Sequence, residues 1–482
     1  MYQQLDSDTI CAISTPAGVG GIAVVRVSGP NAIQITDSVW KGRRLADVTT
    51  HTAHLGDIID PENPTEPLDS AVATVFKGPR SFTGDDVVEI SIHGSRWIQR
   101  ELVNLLIRRG CRMAEPGEFT RRAFANGRLD LTQAEAVADV IAASSRSAHR
   151  LAASQMRGEF SKHISELRDK LIEIASLLEL ELDFSEEDVE FASRRQLESL
   201  AQTLLAKISS LASSFSTGSV LKDGVPVAIV GEPNVGKSTL LNALLRDNRA
   251  IVSDIPGTTR DTIEDTMEID GILYRFIDTA GIRQTTDSIE NLGIERSYAA
   301  ISRARIVVLL LTPDISAEKF EEIRTTVISH LPEDAALITV INKIDTLLSD
   351  SSINDGSVAT IGNINISSDR DSQNNNSSAS PLLISASKGV NIDQLINQLK
   401  RHSGAEDTED AGLIVTNARH YEALLHAQAS LIRVIDGITA NISGDFIAQD
   451  LRETIHHLSV ITGSITTTDL LSSIFEKFCI GK

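Results

Sequence analysis

Cysteine is scarce in this 482-residue chain. Cys11, Cys111 and Cys479 are too few and too dispersed for a disulfide framework or a clustered zinc site, which points to a reducing, cytoplasmic setting. Basic residues are outnumbered, 45 Lys and Arg against 66 Asp and Glu, for a formal charge of −21. That balance argues against indiscriminate nucleic-acid binding, which rests on cationic surface, but leaves room for a local basic patch. No apolar run approaches the 18 or so residues a membrane-spanning helix needs. Residues Met1 to Ile10 lack the basic-then-apolar layout of a secretory signal. With 41% hydrophobic and 23% charged residues, wholesale disorder and a collagen-like fibre are excluded, and the length suggests two to four domains.

Three characters follow one another along the chain. Residues 1–125 mix β-branched runs (Gly21 to Gly29, Val72 to Phe76, Val87 to Ile92) with a helical pattern from Ile98 to Arg109 that stops at Gly110, an α+β domain. Residues 126–219 are rich in Ala, Leu, Glu and Ser; Ile164, Leu167, Leu171, Ile174 and Leu178 share one helical face. Helical spacing returns over 400–482, so these two segments read as one discontinuous helical domain. Between them, residues 220–399 alternate strand and helix signals, as in an α/β domain with a mostly parallel sheet. Inside that insert, 349–380 is a polar Ser, Asn and Asp stretch that reads as a surface loop.

The insert carries the chemistry. Gly231-Glu232-Pro233-Asn234-Val235-Gly236-Lys237-Ser238 follows the strand signal Pro226 to Val230 and opens the helical run Thr239 to Leu245, the context a phosphate loop requires. Its backbone N–H groups and the helix N-terminus suit phosphates, Lys237 can reach the β- and γ-phosphates, and Ser238 can hold Mg²⁺. Asp278-Thr279-Ala280-Gly281 follows another strand signal, as does Asn342-Lys343-Ile344-Asp345. A carboxylate at Asp345 can accept from guanine N1–H and the 2-amino group, a donor pair adenine lacks. Ser385-Ala386-Ser387 suits a loop against the base. In this order, each at the end of a strand, these motifs resemble the nucleotide-binding elements of Ras-like P-loop GTPases. Gly257-Thr258-Thr259-Arg260-Asp261 resembles a switch loop, with Thr259 a second Mg²⁺ ligand.

Ile282 stands where many small GTPases carry a glutamine that orients the attacking water, so another group must do that work. Asn234 either only shapes the loop or, with carbonyls from Ser253 to Thr258, completes an oxygen cage for a monovalent cation.

Over nearly its whole length the chain resembles the MnmE (TrmE) tRNA-modification GTPase family. The resemblance is carried by Thr15 to Ile22 with Arg26-Val27-Ser28-Gly29, by Ser81 to Val87, by Pro116 to Thr120 leading to Arg128-Leu129-Asp130-Leu131, by the nucleotide motifs, and by the terminal Phe478-Cys479-Ile480-Gly481-Lys482. It implies an N-terminal tetrahydrofolate-binding and dimerisation domain, a helical domain and an inserted GTPase domain. It implies potassium-dependent GTP hydrolysis, with K⁺ held by Asn234, Ser253, Ile255 and Thr258, and Mg²⁺ by Ser238 and Thr259. Asp254 and Pro256 complete the guanine-nucleotide loop, and Glu290 orients water, although a plain solvated glutamate is the bland alternative there. Folate-site residues carried over by motif are Arg26, Glu89, Arg128 and Lys482, for 5-formyltetrahydrofolate. Cys479 is either a buried inert thiol or one close to the one-carbon chemistry. Implied partners are a second copy of the chain, a flavin-containing protein that itself holds the FAD (together a heterotetramer), and tRNA, with no membrane. The product is a wobble uridine bearing an aminomethyl or carboxymethylaminomethyl group at C5. Four cation clusters either meet tRNA phosphates or are solvated faces: Lys41 with Arg43 and Arg44, Arg108 and Arg109 with Arg112, Arg121 with Arg122, and Arg194 with Arg195. The rival reading is an Era-like RNA-binding switch in ribosome assembly, which leaves Thr15 to Gly29 and the terminal segment without a purpose.

Overall fold

The computed structural model describes residues 8–183, 194–248, 265–277, 298–346, 380–404, 413–476 and 478–481. It divides into two compact units, one of residues 1–141, 152–212 and 419–482, the other of 142–151 and 213–418.

The first unit opens with a seven-stranded sheet: β1 (Ile10–Ile13), β2 (Ile22–Ser28), β3 (Trp40–Gly42), β4 (Thr52–Ile58), β5 (Asp69–Phe76), β6 (Val87–His93) and β7 (Arg112–Met113), in spatial order β3-β4-β5-β6-β2-β1-β7. All pairings are antiparallel except β1 with β7. Strand alternation sets the two faces. Ala23, Val25 and Val27 of β2 and Val88, Ile90 and Ile92 of β6 pack with Leu102, Leu105 and Leu106 of the helix Arg96–Arg108. The other face carries Arg26 directly opposite Glu89. The helical pattern read from Ile98 to Arg109 thus forms, with Gly110 at φ 107° beyond its end.

Long helices complete this unit. In Glu159–Asp183 the residues Ile164, Leu167, Leu171, Ile174 and Leu178 are all buried, as their 3.6-residue spacing demands. The helices Arg194–Ser213, Ala418–Thr439 and Gly444–Thr462 bury their own stripes, among them Leu204, Leu431 and Leu458. A buried ionic cluster lies among them: Arg419 donates from Nε and Nη2 to the two oxygens of Glu135 at 2.9 and 3.0 Å, and His420 Nε2 lies 2.8 Å from Glu135 Oε2. The last helix, Thr468–Phe475, packs Leu471 and Phe475 on Leu131 and Ala134.

The second unit is built on β8 (Val225–Val230), β9 (Asp265–Ile269), β10 (Ile272–Phe276), β11 (Ile306–Leu311), β12 (Ala336–Ile341) and β13 (Leu382–Leu383), in order β13-β12-β11-β8-β10-β9. Only β9 with β10 is antiparallel. All six residues of β11 are buried, as a central parallel strand covered on both faces requires. Val225, Val227 and Ile229 of β8 face a core that includes Leu240 and Leu244 of the helix Lys237–Asn248, while Ala228 and Val230 face one that includes Phe320 of the helix Ala317–Ser329. This is the α/β insert expected from the motif order. The polar stretch 349–380 lies outside the described residues save for Ser380. No described helix is long and apolar enough to cross a membrane.

Candidate functional site: a phosphate loop tied to a guanine-type pocket

The loop from Gly231 to Lys237 joins β8 to the helix Lys237–Asn248 at the C-terminal end of a parallel strand, where doubly wound sheets bind ligands. Gly236 sits at φ 100°, and a Cβ there would strike Asn342 Nδ2, so glycine is required both by the backbone angle and by the close approach. Leu240 N–H bonds to Gly236 O at 2.9 Å and starts the helix, so Lys237, Ser238 and Thr239 occupy its first turn, where unpaired N–H groups favour anions. Lys237 Nζ donates to the carbonyls of Gly231 (2.7 Å) and Glu232 (2.9 Å), spanning its own loop. Burial pushes its pKa below the ordinary lysine value, which makes a phosphate partner still more favourable for the charged form.

Two further segments, Asn342 to Asp345 and Ser385 to Ser387, converge on this loop. Asn342, buried after β12, donates from Nδ2 to Val235 O at 2.9 Å and accepts at Oδ1 from Ala386 N–H at 2.9 Å. One amide thus ties the phosphate loop to the Ser385-Ala386-Ser387 loop. Lys343, at φ 64°, donates from Nζ to Asn234 O at 2.6 Å. Ser385 Oγ donates to Asp345 Oδ1 at 2.6 Å, and Ser387 Oγ to Oδ2 at 3.4 Å. The Ser385 hydroxyl is the main cause holding the Asp345 carboxyl below its ordinary pKa. Asp345 is therefore a fixed, ionised acceptor, the chemistry a guanine N1–H and 2-amino edge requires.

Among the sequence-derived nucleotide residues, Asn234 to Thr239, Asn342, Lys343, Asp345 and Ser385 to Ser387 come together here. Ser253, Asp254, Ile255, Pro256, Gly257, Thr258, Thr259, Asp278, Thr279, Ala280, Gly281 and Glu290 lie outside the described residues. Asn234 has φ 64° and its carbonyl is taken by Lys343, so any contribution to a cation falls to its side-chain oxygen. Ser238 offers a hard hydroxyl oxygen of the kind Mg²⁺ prefers. No described group of three or more His, Cys, Asp and Glu could hold a metal.

The first unit has its own polar cradle. Arg26 donates from Nε (3.0 Å) and Nη2 (2.8 Å) to Glu89 Oε1, and from Nη1 to Gly481 O at 3.5 Å. Its guanidinium carbon lies 5.4 Å from the Phe82 ring centre and 5.5 Å from that of Phe119. The C-terminal segment is seated beside it: Gly117 N–H donates to Cys479 O at 3.4 Å, Ile480 pairs with Pro116, and Ser14 Oγ donates to Gly481 O at 3.2 Å. Gly117, at φ 66°, leaves no room for a Cβ beside Phe475 and Phe478. Phe82 and Phe119 are the residues sequence reading did not single out as part of this cradle. Their signal was present in the motifs Ser81 to Val87 and Pro116 to Thr120. Arg128 is exposed, with its Cγ alongside Gly84, and Lys482 lies outside the described residues. Cys479 is exposed, so it is not the buried inert thiol of one reading, whereas Cys11 and Cys111 are buried.

Comparison with known proteins decides the family. The model described as "MnmE helical domain" matches residues 131–479, and "GTP-binding protein TrmE N-terminus" matches 9–128. A protein of Parabacteroides distasonis named tRNA modification GTPase MnmE is 49% identical over 98% of this chain and 100% of its own length. The chain belongs to the MnmE family of tRNA modification GTPases. MnmE proteins of Christiangramia forsetii (46% identical, 99% of each chain) and Bacteroides fragilis (48%, 99% of this chain and 100% of the other) match in the same way. The MnmE assignment accounts for both the phosphate-loop unit and the terminal segment seated by Gly117.

Proposed function

We propose that this chain hydrolyses GTP to GDP and phosphate and uses that cycle to drive modification of the wobble uridine of tRNA. The observation that carries the reading is the Asn342 bridge, which joins a phosphate loop to a base loop beside an ionised Asp345. Family membership supplies the substrate class.

In this reading the N–H groups from Gly236 to Thr239 and the Lys237 ammonium hold the phosphates, and Asp345 with Ser385, Ala386 and Ser387 holds guanine. Ser238 and Thr259 hold Mg²⁺, and Asn234, Ser253, Ile255 and Thr258 hold K⁺. These cations offset the charge that builds on the phosphates as water attacks. Glu290 orients that water, and Asp254, Pro256, Gly257 and Asp278 to Gly281 complete the nucleotide loops.

The N-terminal cradle takes 5-formyltetrahydrofolate. Both Arg26 bonds fall on Glu89 Oε1, so Oε2 is the oxygen open to the donors of a pterin edge, while Phe82 and Phe119 offer ring faces. Arg128 and Lys482 can pair with the glutamate tail of folate. The exposed Cys479 thiol stands in the segment that meets Arg26 through Gly481, a position compatible with the one-carbon chemistry. The reading includes a three-domain division (1–125, 126–219 with 400–482, and 220–399), a cytoplasmic homodimer, and a heterotetramer with a flavin-containing partner that holds the FAD and joins the chain in adding an aminomethyl or carboxymethylaminomethyl group at C5.

Turnover of GTP and ATP by the purified chain, in KCl and in NaCl at equal ionic strength, tests this. GTP-selective turnover that is much faster in KCl is expected. Equal, very slow rates in both salts would remove the cation from the account, and ATP turnover matching GTP would remove the guanine pocket.

A further inference from the structure

The structure separates the four arginine-rich clusters of the sequence into spent and unspent charge. Arg108 pairs with Asp60 at 2.9 Å, and Arg109 lies 3.6 Å from Asp60 and 3.7 Å from Glu62. Arg112 is held by Asp8 and Glu118 at 2.6 Å each, and Arg121 by Glu115 at 3.1 Å. Arg122 is fully buried against Glu118 at 3.0 Å. Arg194 donates to Asn441 Oδ1 at 3.0 Å. These side chains are committed to the fold, the first two clusters to carboxylates and Arg194 to a neutral amide, while its neighbour Arg195 is exposed.

The remaining cluster differs. Lys41 lies on β3, the edge strand of the N-terminal sheet, and Arg43 and Arg44 follow it; all three are exposed. The chain then turns through Leu45, Ala46 and Asp47. Lys77 reaches across from the end of β5 to donate from Nζ to Ala46 O at 2.9 Å, and exposed Arg80 follows in the same turn, its N–H on Lys77 O. Five cations thus run along this side of the sheet, from Lys41, opposite Asp57 near one end of β4, to Lys77, whose N–H meets Thr50 beyond the other end. At least four carboxylates stand nearby, one of them Asp86, which accepts from Gly78 N–H at 2.9 Å beside Lys77. Asp37 is engaged with the Leu45 and Ala46 N–H groups at 2.6 and 3.0 Å, Asp57 faces Lys41 across the strand pair, and Asp47 follows Ala46. Among the described residues, no carboxylate lies within ion-pair distance of Lys41, Arg43, Arg44, Lys77 or Arg80.

We propose that this edge, Lys41, Arg43 and Arg44 with Lys77 and Arg80, is a docking surface for the phosphate backbone of RNA. The inference rests on the tRNA reading above and adds the place where this chain meets the RNA. On a protein of charge −21, unpaired cations gathered at one edge are where a polyanion gains most, because elsewhere the field repels it. Arginine guanidiniums suit phosphate oxygens through paired N–H donors, and the lysines add point charge. Contacts of this kind position RNA without reading its sequence.

The test uses the full chain and an unmodified tRNA transcript, with affinity measured by fluorescence anisotropy between about 50 and 200 mM KCl. The K41Q/R43Q/R44Q variant is compared with an R108Q/R109Q control, and GTP turnover reports that each remains folded. Each phosphate neutralised by a side chain contributes roughly 0.7 to 0.9 to the salt slope, so the triple variant should flatten that slope by about 2 and bind at least tenfold more weakly. The control should match the wild type. An unchanged slope and affinity in the triple variant overturns the proposal. If that variant keeps its RNA affinity but self-associates, the charges only guard a sheet edge, and the proposal falls. Competition by poly-glutamate as strong as by RNA at equal charge would assign the edge to an acidic protein instead. The tRNA reading itself stands or falls separately, on wobble-uridine analysis in cells lacking the chain.

Discussion

Asn342 holds Val235: its side-chain amide donates to the Val235 carbonyl at 2.9 Å, and the same side chain accepts from Ala386 N–H at 2.9 Å. The phosphate loop and the base loop are therefore set by one buried residue. Asn342→Ala leaves a carbonyl and an N–H without partners in a closed site, at about 1–3 kcal/mol for each group. GDP affinity should fall at least tenfold and the thermal midpoint should drop, both readable in one titration with a fluorescent nucleotide and one melting curve. Unchanged GDP affinity would mean the two loops are positioned by something else.

Asp345→Asn turns an acceptor-only carboxylate into a group that also donates. The variant should weaken guanine-nucleotide binding by on the order of a hundredfold and gain xanthine nucleotides, whose ring offers a carbonyl in place of the amino group. Competition binding with GDP and XDP checks it.

The Ser385 hydroxyl holds the Asp345 carboxyl below its ordinary range. A depressed carboxylate keeps its charge as pH falls and loses it only below the usual carboxylate range. Guanine affinity should therefore persist on acidification further than an unperturbed aspartate would allow. Ser385→Ala should move the acid limb of GDP binding to higher pH. The same acid limb in both proteins would show that the hydroxyl does not tune the carboxylate.

Glu135 tests the helical part. Its burial alone would raise the carboxyl pKa, but His420 and Arg419 outweigh that and bring it down to about 2. The sign follows from a folded pKa below the unfolded one: the stabilisation is present above the ordinary glutamate value and is lost as pH falls toward 2. Glu135→Gln leaves Arg419 and His420 without their counter-charge, a destabilisation of about 3–5 kcal/mol for a broken buried pair. The variant should melt well below the wild type at pH 7, and the gap should close as the pH approaches the folded-state pKa of about 2.

Arg26→Ala should abolish binding of 5-formyltetrahydrofolate, because it removes the ion pair that orients Glu89 and the cation set against Phe82 and Phe119. GTP turnover by the unit containing Lys237 should be unchanged in steady state without folate. Isothermal titration calorimetry and a phosphate-release assay separate the two readouts.

The nucleotide motifs were legible because each is a short contiguous segment at the end of a strand, where residue type and spacing suffice. The Asn342 to Val235 bond was not, since its partners stand 107 positions apart and meet only when β8 and β12 flank β11. Arg26 and Glu89 were both named, but their pairing depends on the register of β2 against β6. The four basic clusters looked alike as sequence; only folding showed that Asp60, Asp8, Glu115 and Glu118 neutralise two of them. Strand β4, Thr-Ala-His-Leu-Gly-Asp-Ile, gave little signal because its alternation mixes polar and small residues on both faces, and pairing with β5 is what makes it a strand.

The most direct measurement is the wobble-uridine content of tRNA from cells whose own copy of this chain is deleted and replaced by either the wild type or Lys237→Ala. Restoration of the C5-substituted uridine by the wild type and not by the lysine variant, at equal protein levels, is the predicted result. Full restoration by the variant, or C5 substitution that persists unchanged after the deletion, would contradict the claim that GTP hydrolysis at this loop drives the modification.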